Sequence, residues 1–227
     1  MKRFVVLMVT AIAAGLGLAP PAALAQGRFV IKKLAEKKVS QLPAGELYWR
    51  IERFSNGLYG SGVDEHGSWV DDALSHAQAA AGPWSLVAEA AGDVWLFTLG
   101  PAGGSTLEGT RVAEVGPIAR PVAKEYLLRV NEASGPPGSV TKAHSHPGSE
   151  AFFVLSGETS SMTPHGVMRV AAGHASAGNV AGTPMRVSSS GATALHSLVM
   201  FVVDADKPFS SPAKLDSTRA DAGKELK

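Results

Sequence analysis

Two histidines one residue apart, His144 and His146, followed four positions later by Glu150, are the part of this sequence best suited to chemistry. If residues 140–146 form a strand, alternate side chains share a face. The two imidazoles then project together, about 7 Å apart along the backbone at a rise of ~3.3 Å per residue. Pro147-Gly148 is a turn signal that returns the chain, so Glu150 reaches across from the neighbouring strand. Two neutral imidazoles and a carboxylate suit Fe, Mn, Zn, Ni or Cu, and they leave coordination positions open to water, a substrate or dioxygen. Glu150 buried beside Phe152 and Val154 without a cation carries a desolvation cost or is driven to protonate, and a bound ion removes that penalty. The chain contains no cysteine, so disulfides and thiolate ligands are both excluded.

The remaining histidines carry weaker signals. His196 lies on a late apolar run and shares a face with Leu198 and Met200. It reads either as an inward-facing replacement ligand or general base, or as a core or rim histidine with a satisfied hydrogen bond. His165, in Pro-His-Gly, His174, after a glycine, and His66 and His76 are expected at the surface. No residue is singled out as a catalytic acid or base.

The elements that must position these groups follow from patterning. Leu47, Trp49 and Ile51 alternate with Tyr48, Arg50 and Glu52, the period of a strand with one buried face. Gly57, Gly60 and Gly62 mark a loop. Ser68, with Asp71 and Asp72 behind it, reads as the cap of a helix that ends at Gly82-Pro83. Residues 85–91 and 94–99 form a hairpin joined by Gly92-Asp93, and 111–118 is a further strand. Expected strands continue at 125–130, 140–146, 150–155, 159–163, 167–171, 185–188 and 195–203. Many short strands, one helix and no βαβ alternation predict an all-β barrel or sandwich.

The chain has 227 residues, a net charge of +1 and 45% hydrophobic residues, enough for one sizeable domain or two small ones. Without a basic run interleaved with aromatics, a nucleic-acid partner is excluded and small-molecule chemistry is the default. Lys2 and Arg3, an apolar run from Phe4 to Leu18 and Ala23-Leu24-Ala25 make residues 1–25 a signal peptide, with export to a periplasm or beyond after cleavage behind Ala25. The apolar run is shorter than the ~20 residues a membrane span needs, so no span is expected after cleavage. Residues 26–45 read as a solvated basic lead-in and 46–120 as a β-rich region that packs on or completes the barrel, with a degenerate second barrel half left open. Residues 121–205 form the domain carrying the histidines, and 206–227 a polar tail.

The segment from Gly138 to Gly157, with His144, His146 and Glu150 between, resembles the first motif of the cupin superfamily residue for residue. The resemblance implies a jelly-roll β-barrel with its metal site inside, and it makes His144, His146 and Glu150 three of four usual ligands. Gly173 and Gly182-Thr183-Pro184 resemble the second motif when one extra residue is allowed. Met185 then occupies the place of the remaining histidine, and Ser189 stands where an Asn is common. A thioether is a soft ligand useful mainly to copper, or Met185 is a core side chain filling that space. The chain is also similar to exported bacterial proteins with a cupin domain, and the resemblance implies homodimers formed through barrel edges. The expected function is that of a metal-dependent oxygenase or oxidase acting on a small organic substrate; the alternative is a non-catalytic module that binds a metal or small ligand.

Overall fold

The computed structural model describes residues 27–55, 62–63, 69–70 and 73–215. The signal segment, most of the glycine loop, His66 and the helix-capping Ser68, Asp71 and Asp72 lie outside the described residues. In chain order the first elements are β1 (Val30–Val39), β2 (Leu47–Phe54), β3 (Gly62–Val63) and β4 (Trp69–Val70). Helix α1 (Ala73–Ala80) precedes β5 (Ser85–Ala90), β6 (Asp93–Gly100), β7 (Thr110–Ile118) and β8 (Tyr126–Gly135). The second half comprises β9 (His144–Ser145), β10 (Gly148–Ser156), β11 (Glu158–Thr163), β12 (Gly166–Ala171), β13 (Ala175–Ser176), β14 (Arg186–Ser189), β15 (Leu195–Asp204) and β16 (Ser211–Pro212). Among the described residues no helix is long and apolar enough to cross a membrane.

Strand alternation sorts these elements into layers. One sheet runs β1-β8-β15-β10-β13 and a second β12-β11-β14, with residues 140–144 bridging to β14 through Val140 with Ser188 and His144 with Met185. From β8 onward the chain passes to and fro between the two sheets, which is the winding of a jelly roll. Between them lie Ala133, Phe152, Met185, Val187, Val199 and Phe201. The alternate residues of the same strands, among them Val130, Ala151, Phe153, Leu198 and Met200, point the other way, onto Trp49, Ile51, Trp95 and Phe97 of a four-stranded sheet ordered β5-β6-β2-β7. The central sheet is therefore buried on both faces. That explains why β10 and β15 read as continuous apolar runs rather than as half-polar strands.

The outer face of the four-stranded sheet is covered too. Phe54, Val94 and Leu96 pack under Ala73 and Ala77 of α1. Glu52 is fully buried, where its carboxylate accepts bonds from the Thr106 backbone at 2.6 Å and from Arg50 at 3.0 Å. The expected solvated face of β2 is thus corrected: the loop after β6 folds over it and supplies the partners a buried carboxylate requires.

Three other expectations change. The basic lead-in is not solvated throughout, because β1 pairs along its length with β8 as the sheet's edge strand. Its lysines bridge to acids, Lys38 to Glu125 at 2.7 Å and Lys33 to Glu36 at 2.6 Å, and a lysine-rich edge discourages strand addition by other chains. The polar tail also begins later than expected, since β16 pairs with β9. The hairpin turn sits one residue earlier, at Ala91-Gly92, because Ala90 pairs with Asp93.

Both turn residues have positive φ, 55° and 82°, as in a type I′ turn, where Asn-Gly is the favoured pair. Alanine in that conformation carries a steric cost. Ala91→Asn is therefore expected to stabilise the protein by roughly 1 kcal/mol, read as a higher urea midpoint with an unchanged slope. An unchanged midpoint would show that the turn holds no such strain.

Candidate metal centre

His144, His146 and Glu150 occupy the end of the jelly roll where the first sheet meets the second. Pro147 turns the chain between them. Gly148 packs so closely on β15 that a Cβ there would lie 2.1 Å from the Val202 carbonyl oxygen. This close approach sets β10 tightly against β15, with Glu150 directly opposite Phe201, and directs the Glu150 side chain into the barrel alongside Phe152. His144 is held by two backbone bonds to Met185, of 2.9 and 2.8 Å.

The two imidazoles are oriented by the backbone. His144 Nδ1 lies 2.8 Å from the Lys142 carbonyl oxygen, and His146 Nδ1 lies 2.7 Å from that of Phe209. A carbonyl only accepts, so each Nδ1 must carry the proton, and each neutral ring presents its Nε2 lone pair. This is the tautomer a metal ligand needs, with the second nitrogen anchored as ligating histidines usually are. His146 Nε2 stands 4.0 Å from Glu150 Oε2. The His144 ring meets His146 edge-on at a centroid distance of 5.0 Å.

Glu150 is buried, and its Oε1 accepts a 2.6 Å bond from the Asn179 amide. The same amide nitrogen lies 2.9 Å from Ser161 Oγ and 3.4 Å from Met185 Sδ. Burial pushes the Glu150 carboxyl up to about 7, against the lowering effect of Asn179. Burial likewise pushes His146 down to about 4, opposed by its bond to Phe209 and reinforced by the nearby His144 and Arg129. Both groups are thus disposed to be neutral in the absence of a cation.

As they stand, no three His, Cys, Asp or Glu side chains among the described residues are gathered closely enough to enclose an ion. The donor chemistry nevertheless fits one: two Nε2 lone pairs and a buried carboxylate whose Oε2 stands 4.0 Å from His146 Nε2. His144 is only partly buried. Met185 lies opposite it on β14's lead-in, fully buried in the apolar cluster with Phe152 and Val187. His196 is on the other face of the central sheet, where its Nε2 pairs with Glu132 at 2.5 Å, so it does not enter the barrel. His165 and His174 are exposed, whereas His76 is half-buried against Glu108.

Two contributors escaped sequence reasoning. Asn179 sits in the irregular stretch between β13 and β14, where no periodicity points to it. Phe209 lies in a segment whose polar composition hides its role. Its ring packs on His146 and Phe201, with centroid distances of 4.8 and 4.9 Å, while its carbonyl fixes the His146 tautomer. A chain ending at Asp206 is expected to bind divalent metal 10- to 100-fold less tightly, on the order seen when a ligand's anchoring partner is lost. Chelator competition would reveal this, and an unchanged affinity would remove Phe209 from the account.

No protein-family model matches the chain, and no curated protein matches it either. Among solved structures it is similar to the DMSP lyase DddQ from Ruegeria pomeroyi, at 21% identity over 38% of this chain and 43% of that one, with a TM-score of 0.33. It is also similar to a cupin superfamily protein from Desulfitobacterium hafniense, at 13% identity over 34% of this chain and 68% of that one, TM-score 0.31. A third is the polyketide cyclase RemF from Streptomyces resistomycificus, at 19% identity over 40% and 63%, TM-score 0.32. The chain spans less than half the length of the lyase it matches. The jelly-roll winding between two facing sheets, with the Gly138–Gly157 segment turning through His144, His146 and Glu150 at one end, makes this a cupin-fold protein.

Proposed function

We propose that the barrel binds a divalent transition metal through His144, His146 and Glu150 and presents it to a small organic molecule in the adjoining cavity. The observation that carries this reading is the pair of Nδ1 anchors, which leaves both Nε2 lone pairs available at the same end of the barrel as a buried carboxylate, 4.0 Å from His146 Nε2. Fe, Mn, Zn, Cu and Ni all accept such donors. Met185 adds at most a soft thioether, and its place in the apolar cluster supports a packing role. When bound, the ion supplies a Lewis acid or a redox centre with positions open to ligand, consistent with oxygenase or oxidase chemistry. The chain's own side chains contribute the walls: Phe29, Phe152, Val199 and Phe201 line an open-mouthed cavity of about 290 Å³, near the lower end of small-molecule sites. In this reading the protein acts after export, with residues 1–25 removed.

Cobalt(II) substitution tests the proposal. Visible d–d bands are expected to reach full intensity at one equivalent and to shift when azide is added, because positions remain open. Absence of the bands would contradict metal binding, and bands indifferent to azide would contradict an accessible centre.

A further inference from the structure

The cavity beside His144 and His146 has a charged group that metal ligation does not use. Arg129 projects from β8 on the inner face shared with Asn131 and Ala133, and it lines the same cavity. Its guanidinium is held from three sides. Nε donates to Asn131 Oδ1 at 2.9 Å, the plane lies over the Phe209 ring with Cζ 4.0 Å from the centroid, and Nη1 stands 3.6 Å from the Glu36 carboxylate. That carboxylate is shared, because it also accepts the 2.6 Å bond from Lys33. Two cations thus divide one anion. Arg129 Nη2 has no hydrogen-bond partner among the described residues, and burial pushes the guanidinium below its ordinary range, though arginine remains protonated at any physiological pH.

The rest of the cavity frames this charge. Lys142 stands exposed at its rim, and Glu150 is the one acid among its lining residues. The rest of the lining is mostly apolar, from Phe29, Ile31, Phe152, Val199 and Phe201, with Asn131, Thr141, Ser197 and Ser210 as neutral polar groups. A rigid, under-solvated guanidinium with an unused donor at the edge of an apolar hollow is suited to a carboxylate on a hydrocarbon body.

We infer that the cavity takes a small organic anion, its carboxylate held by Arg129 and its apolar portion laid against Phe29, Ile31 and Phe201 toward His144 and His146. This names the ligand class of the proposed metal centre and rests on that reading only for what the far end of the ligand meets.

Calorimetric titration of the metal-free protein with sodium hexanoate and with the neutral hexanamide separates the two ideas. Hexanoate is expected to bind at least tenfold more tightly than hexanamide. Arg129→Gln is expected to lower hexanoate affinity 10- to 100-fold, the span of a lost charge-assisted bond, while leaving hexanamide affinity unchanged. Arg129→Lys, which keeps the charge but not the planar fork, should fall between. No hexanoate binding by the wild type, equal affinity for the two probes, or equal hexanoate affinity in wild type and Arg129→Gln would overturn the inference. If the wild type takes up no metal yet shows Arg129-dependent hexanoate binding, the anion site stands and the metal centre falls.

Discussion

Glu150→Gln is expected to weaken divalent-metal binding at least ~100-fold, about 2.7 kcal/mol, while leaving the barrel folded. The substitution keeps the shape of the side chain and an oxygen able to accept the Asn179 amide, but it removes the anionic donor. A neutral amide oxygen is a poor substitute for a carboxylate on a transition-metal ion. Without metal, the same change relieves the burial of a charge among Phe152, Met185 and Phe201. The metal-free variant should therefore unfold at no lower urea concentration than the metal-free wild type above pH 7. Competition against a chromogenic chelator measures the affinity. A variant that competes as well as the wild type would show that Glu150 is not a ligand.

The second large effect is a pH dependence of stability in the metal-free protein. Glu150 titrates near its ordinary 4.5 when unfolded and at about 7 when folded. Between those values the folded form holds the extra proton, so stability falls as pH rises, by roughly 3 kcal/mol once pH 7 is passed. His146 behaves in the opposite sense, with 6.5 unfolded and about 4 folded. The unfolded form then holds the extra proton, and stability falls by roughly 3 kcal/mol as pH drops from 6.5 to 4.

From about 4.5 to 6.5 the two slopes oppose each other, so the wild type should show a plateau there. Each variant exposes the other group's slope. Glu150→Gln should gain stability between pH 4 and 6.5, and His146→Asn should lose it between 4.5 and 7. Saturating zinc should abolish the wild-type decline towards pH 7, because metal favours the ionised carboxylate. Urea midpoints across pH 4 to 8 provide the test. Parallel profiles for wild type and both variants would mean that neither group is held neutral by burial.

Much of the histidine-bearing end of the barrel was legible because most of it follows the two-residue period of strands. His144 and His146 line one cavity, although the expected strand 140–146 reduces to His144–Ser145 with an isolated bridge at Val140; the chain turns at Pro147, and the alternate residues of β10 divide between two cores as their sequence suggests. Elements whose role depends on distant partners were not legible. The lysines of β1 look solvated in isolation, and they are partly so; what orders the strand is β8, nearly a hundred residues later. Phe209 is a lone aromatic in a Lys-Pro-Ser context, and its value lies in a carbonyl, which no side-chain pattern encodes. Asn179 matters because Glu150 is buried and needs a donor, a requirement that composition cannot localise. The turn at Ala91-Gly92 was displaced by one residue because Gly fits the second central position of a type I′ turn, leaving alanine in the first.

A metal centre built from His144, His146 and Glu150 is read out by metal stoichiometry. Wild type and His146→Asn, both reconstituted with a divalent transition metal and dialysed, are to be compared by elemental analysis. The asparagine retains a donor for the Phe209 carbonyl but has no Nε2. About one equivalent is expected in the wild type and less than about a tenth in the variant, on the scale of affinity lost with a direct ligand. Wild type without bound metal, or equal metal in the two proteins, would contradict such a centre.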